Sequence, residues 1–203
     1  LQFLTSLKIV KQTEWSLESF GKSVKYFPLI GAVLGIIMAS FYFIAIKYLP
    51  LAHIYLSHNF LAILLFALSI ILTGALHCDG FMDTADGVFS GRSKDRMLEI
   101  MKDSCVGANA VLAVIVLILL KVSVYLDMPG DLLTSALVAM SVATRTFMVL
   151  FIVDFPYARK EGIGHLFKMY AKPYYTYMAF ALGALLIYAC GVKFLAAAGL
   201  CLI

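Results

Sequence analysis

Three carboxylates fall close together in the run His77-Cys78-Asp79-Gly80-Phe81-Met82-Asp83-Thr84-Ala85-Asp86-Gly87. Asp79, Asp83 and Asp86 stand at i, i+4 and i+7, so a helix projects all three from one face. Helical neighbours at that spacing lie about 5–6 Å apart. At an effective dielectric of about 20, each unscreened pair repels by roughly 3 kcal/mol. A solvated acidic helix start is the plainer reading, because Asp is favoured in a first turn. A compensating divalent cation is the sharper one. Carboxylates combined with diphosphate oxygens suit Mg²⁺, and hence a phosphate-containing substrate.

Further candidates follow along the chain. The segment from Gly91 to Gly107 reads as a short helix with Ser93 as N-cap and Asp95 in its first turn. Met97, Leu98, Ile100 and Met101 form its apolar side, which is also the pattern of a helix lying against a membrane. Lys102 and Asp103 end it and are the members assigned to a substrate site. Arg145 sits in mid-stretch among apolar residues, where a guanidinium costs at least about 2.5–3.5 kcal/mol unless it faces a polar cavity or a partner. The run Pro156-Tyr157-Ala158-Arg159-Lys160-Glu161-Gly162-Ile163-Gly164-His165 joins two bases to two glycines. Arg159 and Lys160 can neutralise phosphate, while Gly162 and Gly164 can offer backbone N–H groups to an anion.

The elements that must position these groups are membrane helices. Of the 203 residues, 63% are hydrophobic and 14% charged, a composition of a polytopic membrane protein. Apolar stretches at about 26–49, 55–76, 106–126, 131–153 and 174–190 are each long enough, or nearly so, to cross about 30 Å of hydrocarbon. Phe194–Ile203 reads as the start of a sixth span. The expected fold is therefore an all-α integral membrane bundle of five to six spans, treated as one catalytic domain over 1–203. The start at Leu1 and the stop inside an apolar run read as those of a fragment.

Twelve of the sixteen Lys and Arg residues lie before the first span or within 77–105 and 154–173. The positive-inside rule places those segments, about 1–25 included, and the N-terminus in the cytosol. The site would then face the cytosol from the plasma (inner) membrane, with the lipid bilayer as a partner. Cys78, Cys105, Cys190 and Cys201 form no CxxC pair. No Walker loop, GxGxxG, HExxH or GxSxG motif is present, and no basic aromatic surface suggests nucleic acid. A homo-oligomer is compatible with such a bundle but not specified by it.

The run Thr73-Gly74-Ala75-Leu76-His77-Cys78-Asp79-Gly80-Phe81-Met82-Asp83-Thr84-Ala85-Asp86-Gly87 resembles the GGLHxDGxxDTxDG signature of the cobalamin synthase family, the adenosylcobinamide-GDP ribazoletransferases. Leu98-Glu99-Ile100-Met101-Lys102-Asp103-Ser104-Cys105-Val106-Gly107 is similar to that family's LEIMKDSxxG segment. Phe27–Gly35 and Pro156–Arg159 with Gly162 and Gly164 resemble its first span and a later loop. Cys105 stands where members often carry Arg, and the chain stops before a Gly-Asp-containing C-terminal region. The resemblance implies the joining of adenosylcobinamide-GDP to α-ribazole or its 5′-phosphate, with release of GMP. It further implies one or two Mg²⁺ ions on Asp79, Asp83 and Asp86, with Asp86 or alternatively His77 taking the hydroxyl proton. Arg145, Arg159 and Lys160 would hold phosphates.

Two rival classes share some of these features. A CDP-alcohol phosphotransferase also uses a membrane-edge Asp cluster, but its Ala-Arg pair is missing here and the interval is too short. A cation-coupled transporter would set carboxylates deep within spans, which this chain does not do.

Overall fold

The computed structural model describes residues 4–6, 17–159 and 162–200. In chain order the helices are α1 (Leu17–Lys22), α2 (Phe27–Lys47), α3 (His58–Thr73), α4 (Leu76–Phe89) and α5 (Lys94–Ile100). They continue with α6 (Ala108–Asp127), α7 (Gly130–Asp154), α8 (Ile163–Tyr170), α9 (Tyr174–Cys190) and α10 (Val192–Leu200). Short 3₁₀ turns cover Ser23–Tyr26 and Leu49–Ala52. No strand occurs among the described residues.

Among the described residues, three helical stretches are long and apolar enough to cross a bilayer: Ser23–Lys47, Ala108–Asp127 and Gly130–Asp154. Two helix pairs, α3 with α4 and α8 with α9, are bent by 92° and 98°, and counting each as one span gives five. The expected all-α membrane bundle is what the chain forms. Against the five to six spans expected, the described residues give three to five: helix 174–190 qualifies only with the bent α8, and α10 at the expected sixth is nine residues long. The apolar run through 76 is not one rod but ends at Thr73 and turns sharply.

The chain divides into two compact units, one around 55–128 and the other from 17–54 and 129–200. In the first, Ser57 caps α3 by accepting the Phe60 N–H at 3.2 Å. Gly74 (φ 61°) and Ala75 (φ 60°) then adopt left-handed backbone. The Ala75 N–H returns to Ile70 O at 3.0 Å and the Gly74 N–H to Ile71 O at 3.3 Å. That pair of bonds is a Schellman stop, which satisfies the last carbonyls of α3 and redirects the chain. At the other end of α3, the His58 ring meets Leu126 O of α6 at 3.0 Å, and the Lys121 ammonium lies 5.7 Å from the centre of the Phe66 ring.

The second unit is organised on α2 and α7. Gly31 and Gly35 form a small-xxx-small pair in α2, and such pairs let membrane helices approach closely. A Cβ on Gly35 would lie 2.5 Å from the Val138 Cα of α7, and one on Gly31 would lie 2.8 Å from the Val142 Cα. Val142 is fully buried beside Ala139 and Ile187 of α9. On α9, Phe180 meets Phe147 of α7 edge-on at 5.9 Å, and Thr176 donates to Asp154 at 2.5 Å. Lys168 of α8 donates to the carbonyl of Val153, covering one of the open acceptors at the end of α7.

Candidate active site

All three aspartates of the sequence motif lie on α4, as their spacing requires, with α4 turned out of the line of α3 by the Schellman stop. Asp79, Asp83 and Asp86 line one cavity of about 270 Å³. Lys102, Asp103, Ser104 and Cys105, from the segment between α5 and α6, complete the wall together with Met82 and Met101. The segment is held there by packing. A Cβ on Gly87 would come within 2.6 Å of Met101 Cγ and 3.1 Å of Met97 Cγ, so both methionines lie on the bare backbone of α4. The apolar side of α5 is thus spent, at least in these two residues, on α4. Ser93 occupies the N-cap position of α5, but its side chain makes no capping bond.

Asp86 has a defined role in this geometry. Its Oδ2 accepts the Gly107 N–H at 2.6 Å and its Oδ1 accepts the Ala110 N–H at 2.8 Å. These are the N-cap and third residues of α6, whose first-turn donors lack partners within the helix. A carboxylate at that end also meets the positive pole of the helix dipole. Gly107 itself has ordinary extended backbone (φ −88°, ψ 170°), so conformation does not demand glycine there. Proximity does: a Cβ would stand 2.5 Å from Asp86 Oδ1. The motif glycine and the motif aspartate are two halves of one contact.

Asp83 is half-buried and Asp79 exposed. Among the described residues, no group of three or more His, Cys, Asp or Glu side chains is placed to hold a metal ion alone. The three aspartates share a cavity, but Asp86 is drawn to the start of α6. Opposite them, Asp103 Oδ1 accepts the Cys105 N–H at 3.0 Å and closes a turn. That backbone bond, then the Cys105 thiol and more weakly Arg96, hold the Asp103 carboxyl below its usual range. The same hydrogen bond and charge push the Cys105 thiol upward. Lys102 is exposed at the cavity edge. His77 lies in the first turn of α4, half-buried, and is not part of the cavity lining.

The remaining predicted residues belong to the second unit. Arg145 is half-buried in α7; one Nη donates to Thr144 Oγ1 at 2.9 Å, and its Nε is buried without a hydrogen-bond partner. Arg159 is half-buried in the loop after α7. Lys160 lies outside the described residues. Gly162 (φ 125°) begins α8, and a Cβ there would lie 3.1 Å from the Tyr157 hydroxyl. Gly164 carries the Tyr157 ring, 2.5 Å from its would-be Cβ, so packing accounts for this glycine.

Residue typing alone missed the two backbone N–H groups of Gly107 and Ala110 as partners of Asp86. The signal available was a helix start at Gly107 with no Ser, Thr, Asp or Asn of its own to cap it.

No solved structure matches the chain. Curated relatives do. Adenosylcobinamide-GDP ribazoletransferase of Clostridium novyi is 36% identical over 185 residues, covering 89% of this chain and 70% of the relative. The Fusobacterium nucleatum protein of that name is 38% identical over 170 residues, covering 82% and 61%. That of a Geobacillus strain is 35% identical over 196 residues, covering 96% and 73%. The chain thus spans roughly two-thirds of the length of these relatives, all named as transferases. The family model described as cobalamin-5-phosphate synthase matches residues 1–203. The chain belongs to the cobalamin-5-phosphate synthase family of enzymes.

Proposed function

We propose that the cavity on α4 is the reaction centre of an adenosylcobinamide-GDP ribazoletransferase, facing the cytosol from the inner membrane. The observation that supports this most is charge. Four carboxylates (Asp79, Asp83, Asp86, Asp103) and one ammonium (Lys102) share a cavity of about 270 Å³, in a chain of this family. Formally that wall carries four negative charges against one positive. A diphosphate entering it is repelled unless a cation comes with it.

Mg²⁺ fits this donor set. It is commonly held by one or two carboxylates, with water and substrate phosphates in the other positions, so a three-carboxylate cage is not needed. Asp79 and Asp83, one turn apart, are the residues that would hold it. When bound, the ion would offset the charge that grows on the diphosphate as the leaving group departs.

In the proposed step, a ribose hydroxyl of α-ribazole, or of its 5′-phosphate, attacks the phosphorus attached to cobinamide. A new P–O bond forms, the bond to the bridging oxygen breaks, and GMP leaves with that oxygen. The hydroxyl proton goes to a cavity carboxylate. Asp86 already spends a lone pair of each oxygen on a backbone N–H, and the proton is assigned to Asp83 on the same cavity wall. Lys102 at the cavity edge meets a phosphate oxygen. Asp86 keeps α4 and α6 in register, and Asp103 sets the turn carrying Ser104 and Cys105. Within the second unit, taken by itself, Arg145, with its unsatisfied buried Nε, and Arg159 are candidates to bind an anion.

The test is GMP release from adenosylcobinamide-GDP and α-ribazole 5′-phosphate by membranes holding the protein, with Mg²⁺ or with excess chelator. Turnover that needs Mg²⁺ and falls at least about a hundredfold in Asp83→Asn supports the assignment. Undiminished turnover in that variant, or in chelator, would overturn it.

A further inference from the structure

A group of lysines and tyrosines at one end of the second unit has no part in this chemistry. The Lys25 ammonium lies 5.0 Å from the ring centre of Tyr26 and 5.5 Å from that of Tyr175. Tyr175 is buried and meets Tyr174 edge-on at 4.9 Å. Lys172 in turn lies 5.9 Å from the Tyr174 ring. One continuous patch, Lys25–Tyr175–Tyr174–Lys172, therefore joins the start of α2 to the start of α9. Its rings prop two ammonium groups in place, each cation resting on a ring face. Lys22 nearby is offset by Glu18 at 2.6 Å. Among the described residues, neither Lys25 nor Lys172 has a carboxylate at ion-pair distance. Around them Tyr26 is 50% exposed, Tyr174 49% and Tyr177 79%, so three hydroxyl-bearing rings stand open where two apolar helices begin.

We propose that this patch binds the head group of an anionic phospholipid. Three features select a lipid over a soluble anion. Lys25 sits at the start of a stretch long and apolar enough to cross a bilayer, and Lys172 two residues before the apolar α9, where basic side chains can meet lipid phosphates. The exposed tyrosines are the amphipathic residues that favour the bilayer interface. The α8–α9 bend of 98° lays the short α8 across that end, packed against α1, with Gly21 of α1 beneath Tyr170. The phosphodiester would take its hydrogen bonds from Lys25 and Lys172, with tyrosine hydroxyls at its edge.

The experiment is native mass spectrometry of the detergent-purified protein titrated with phosphatidylglycerol or phosphatidylcholine. At about fivefold per lysine, wild type should prefer phosphatidylglycerol by about twenty- to thirtyfold. Lys25→Gln/Lys172→Gln should bring the ratio near one. Lys25→Arg/Lys172→Arg keeps charge and ring stacking and should keep the preference, which separates loss of the site from loss of the fold. Equal retention of both lipids by wild type would overturn the proposal. So would displacement of bound phosphatidylglycerol by millimolar GDP, which would mark the patch as a site for soluble phosphate. Neither outcome bears on the acidic cavity, whose test is GMP release.

Discussion

The contact between Asp86 and the start of α6 is best perturbed from its other side, by Gly107→Ala. The backbone at Gly107 accepts alanine, so the only cost is what the new methyl meets. It would stand 2.5 Å from Asp86 Oδ1 and 2.8 Å from Cγ and Oδ2, whereas a carbon–oxygen contact settles at about 3.3 Å or more. The carboxylate must retreat by most of an ångström, stretching two hydrogen bonds now at 2.6 and 2.8 Å. Bonds to a charged group contribute about 1.5–3 kcal/mol each, so full loss is worth about 3–6 kcal/mol. With part of that recovered by relaxation, we expect about 2–4 kcal/mol less stability in the α4–α6 contact. Amide hydrogen exchange reads this directly. Protection at residues 107–110 should fall by a factor of about 30 or more, since 1.4 kcal/mol is a factor of 10. Asp86→Asn should act on the same contact, and the double variant should cost clearly less than the sum of the two. Exchange at 107–110 that stays within about threefold of wild type, or full additivity, would refute the reasoning.

Other outcomes follow from the same geometry. Cys105, with its thiol pushed upward by Asp103, should alkylate slowly at pH 8; Asp103→Asn should speed it and move the pH profile down, read by peptide mass spectrometry. The turn bond itself rests on an Asp103 carboxyl held below its ordinary range. Its contribution is present above the unfolded value and is lost only as pH falls through the lowered one, which exchange at Cys105 between pH 5 and about 3 would follow. Gly35→Leu should separate α2 from α7, because even a Cβ meets the Val138 backbone at 2.5 Å. We expect a loss of about 3 kcal/mol or more, measured by unfolding in mixed micelles, with no loss if the helices can slide apart freely.

Much of this architecture is legible in residue order. The spans 108–127 and 130–154 and helix 174–190 fall within a few residues of their apolar stretches, because in a membrane hydrophobic length and helix length are the same constraint. The aspartate face follows from 3.6-residue periodicity alone. The break at Thr73 was harder to read. Its cause is a backbone state at Gly74 and Ala75 rather than any change in hydropathy, and the apolar residues run on through Leu76. The Gly31/Gly35 spacing was not singled out in the sequence, and its partner on α7 is a long-range fact that spacing cannot supply. The role of Asp86 was hidden for a different reason. A carboxylate that binds metal and one that caps a distant helix have the same letter, and only the position of Gly107 tells them apart.

The bend after α3 also explains how a membrane helix can carry three aspartates at all. Continued straight, α3 would hold Asp79, Asp83 and Asp86 in line with the apolar segment, where each would cost about 2.5–3.5 kcal/mol if buried in hydrocarbon. Turning by 92° takes α4 out of that line, so the carboxylates need not share the depth of the span that precedes them. Stability is committed to this turn. Ala75 holds φ 60°, a region that costs a non-glycine residue about 1–2 kcal/mol. Gly74→Ala would add a second such residue, and its Cβ would press on Ser6 Oγ at 3.1 Å. The expected loss is about 1–2 kcal/mol, concentrated at the bend, with Asp79 and Asp83 displaced together. If the bend is what places the carboxylates, Gly74→Ala lowers GMP release while leaving each aspartate intact, and it adds little to the larger loss in Asp83→Asn. Unchanged turnover in a Gly74→Ala protein of reduced stability would show that the acidic cavity is positioned by the α4–α6 contact through Asp86 and Gly107 alone.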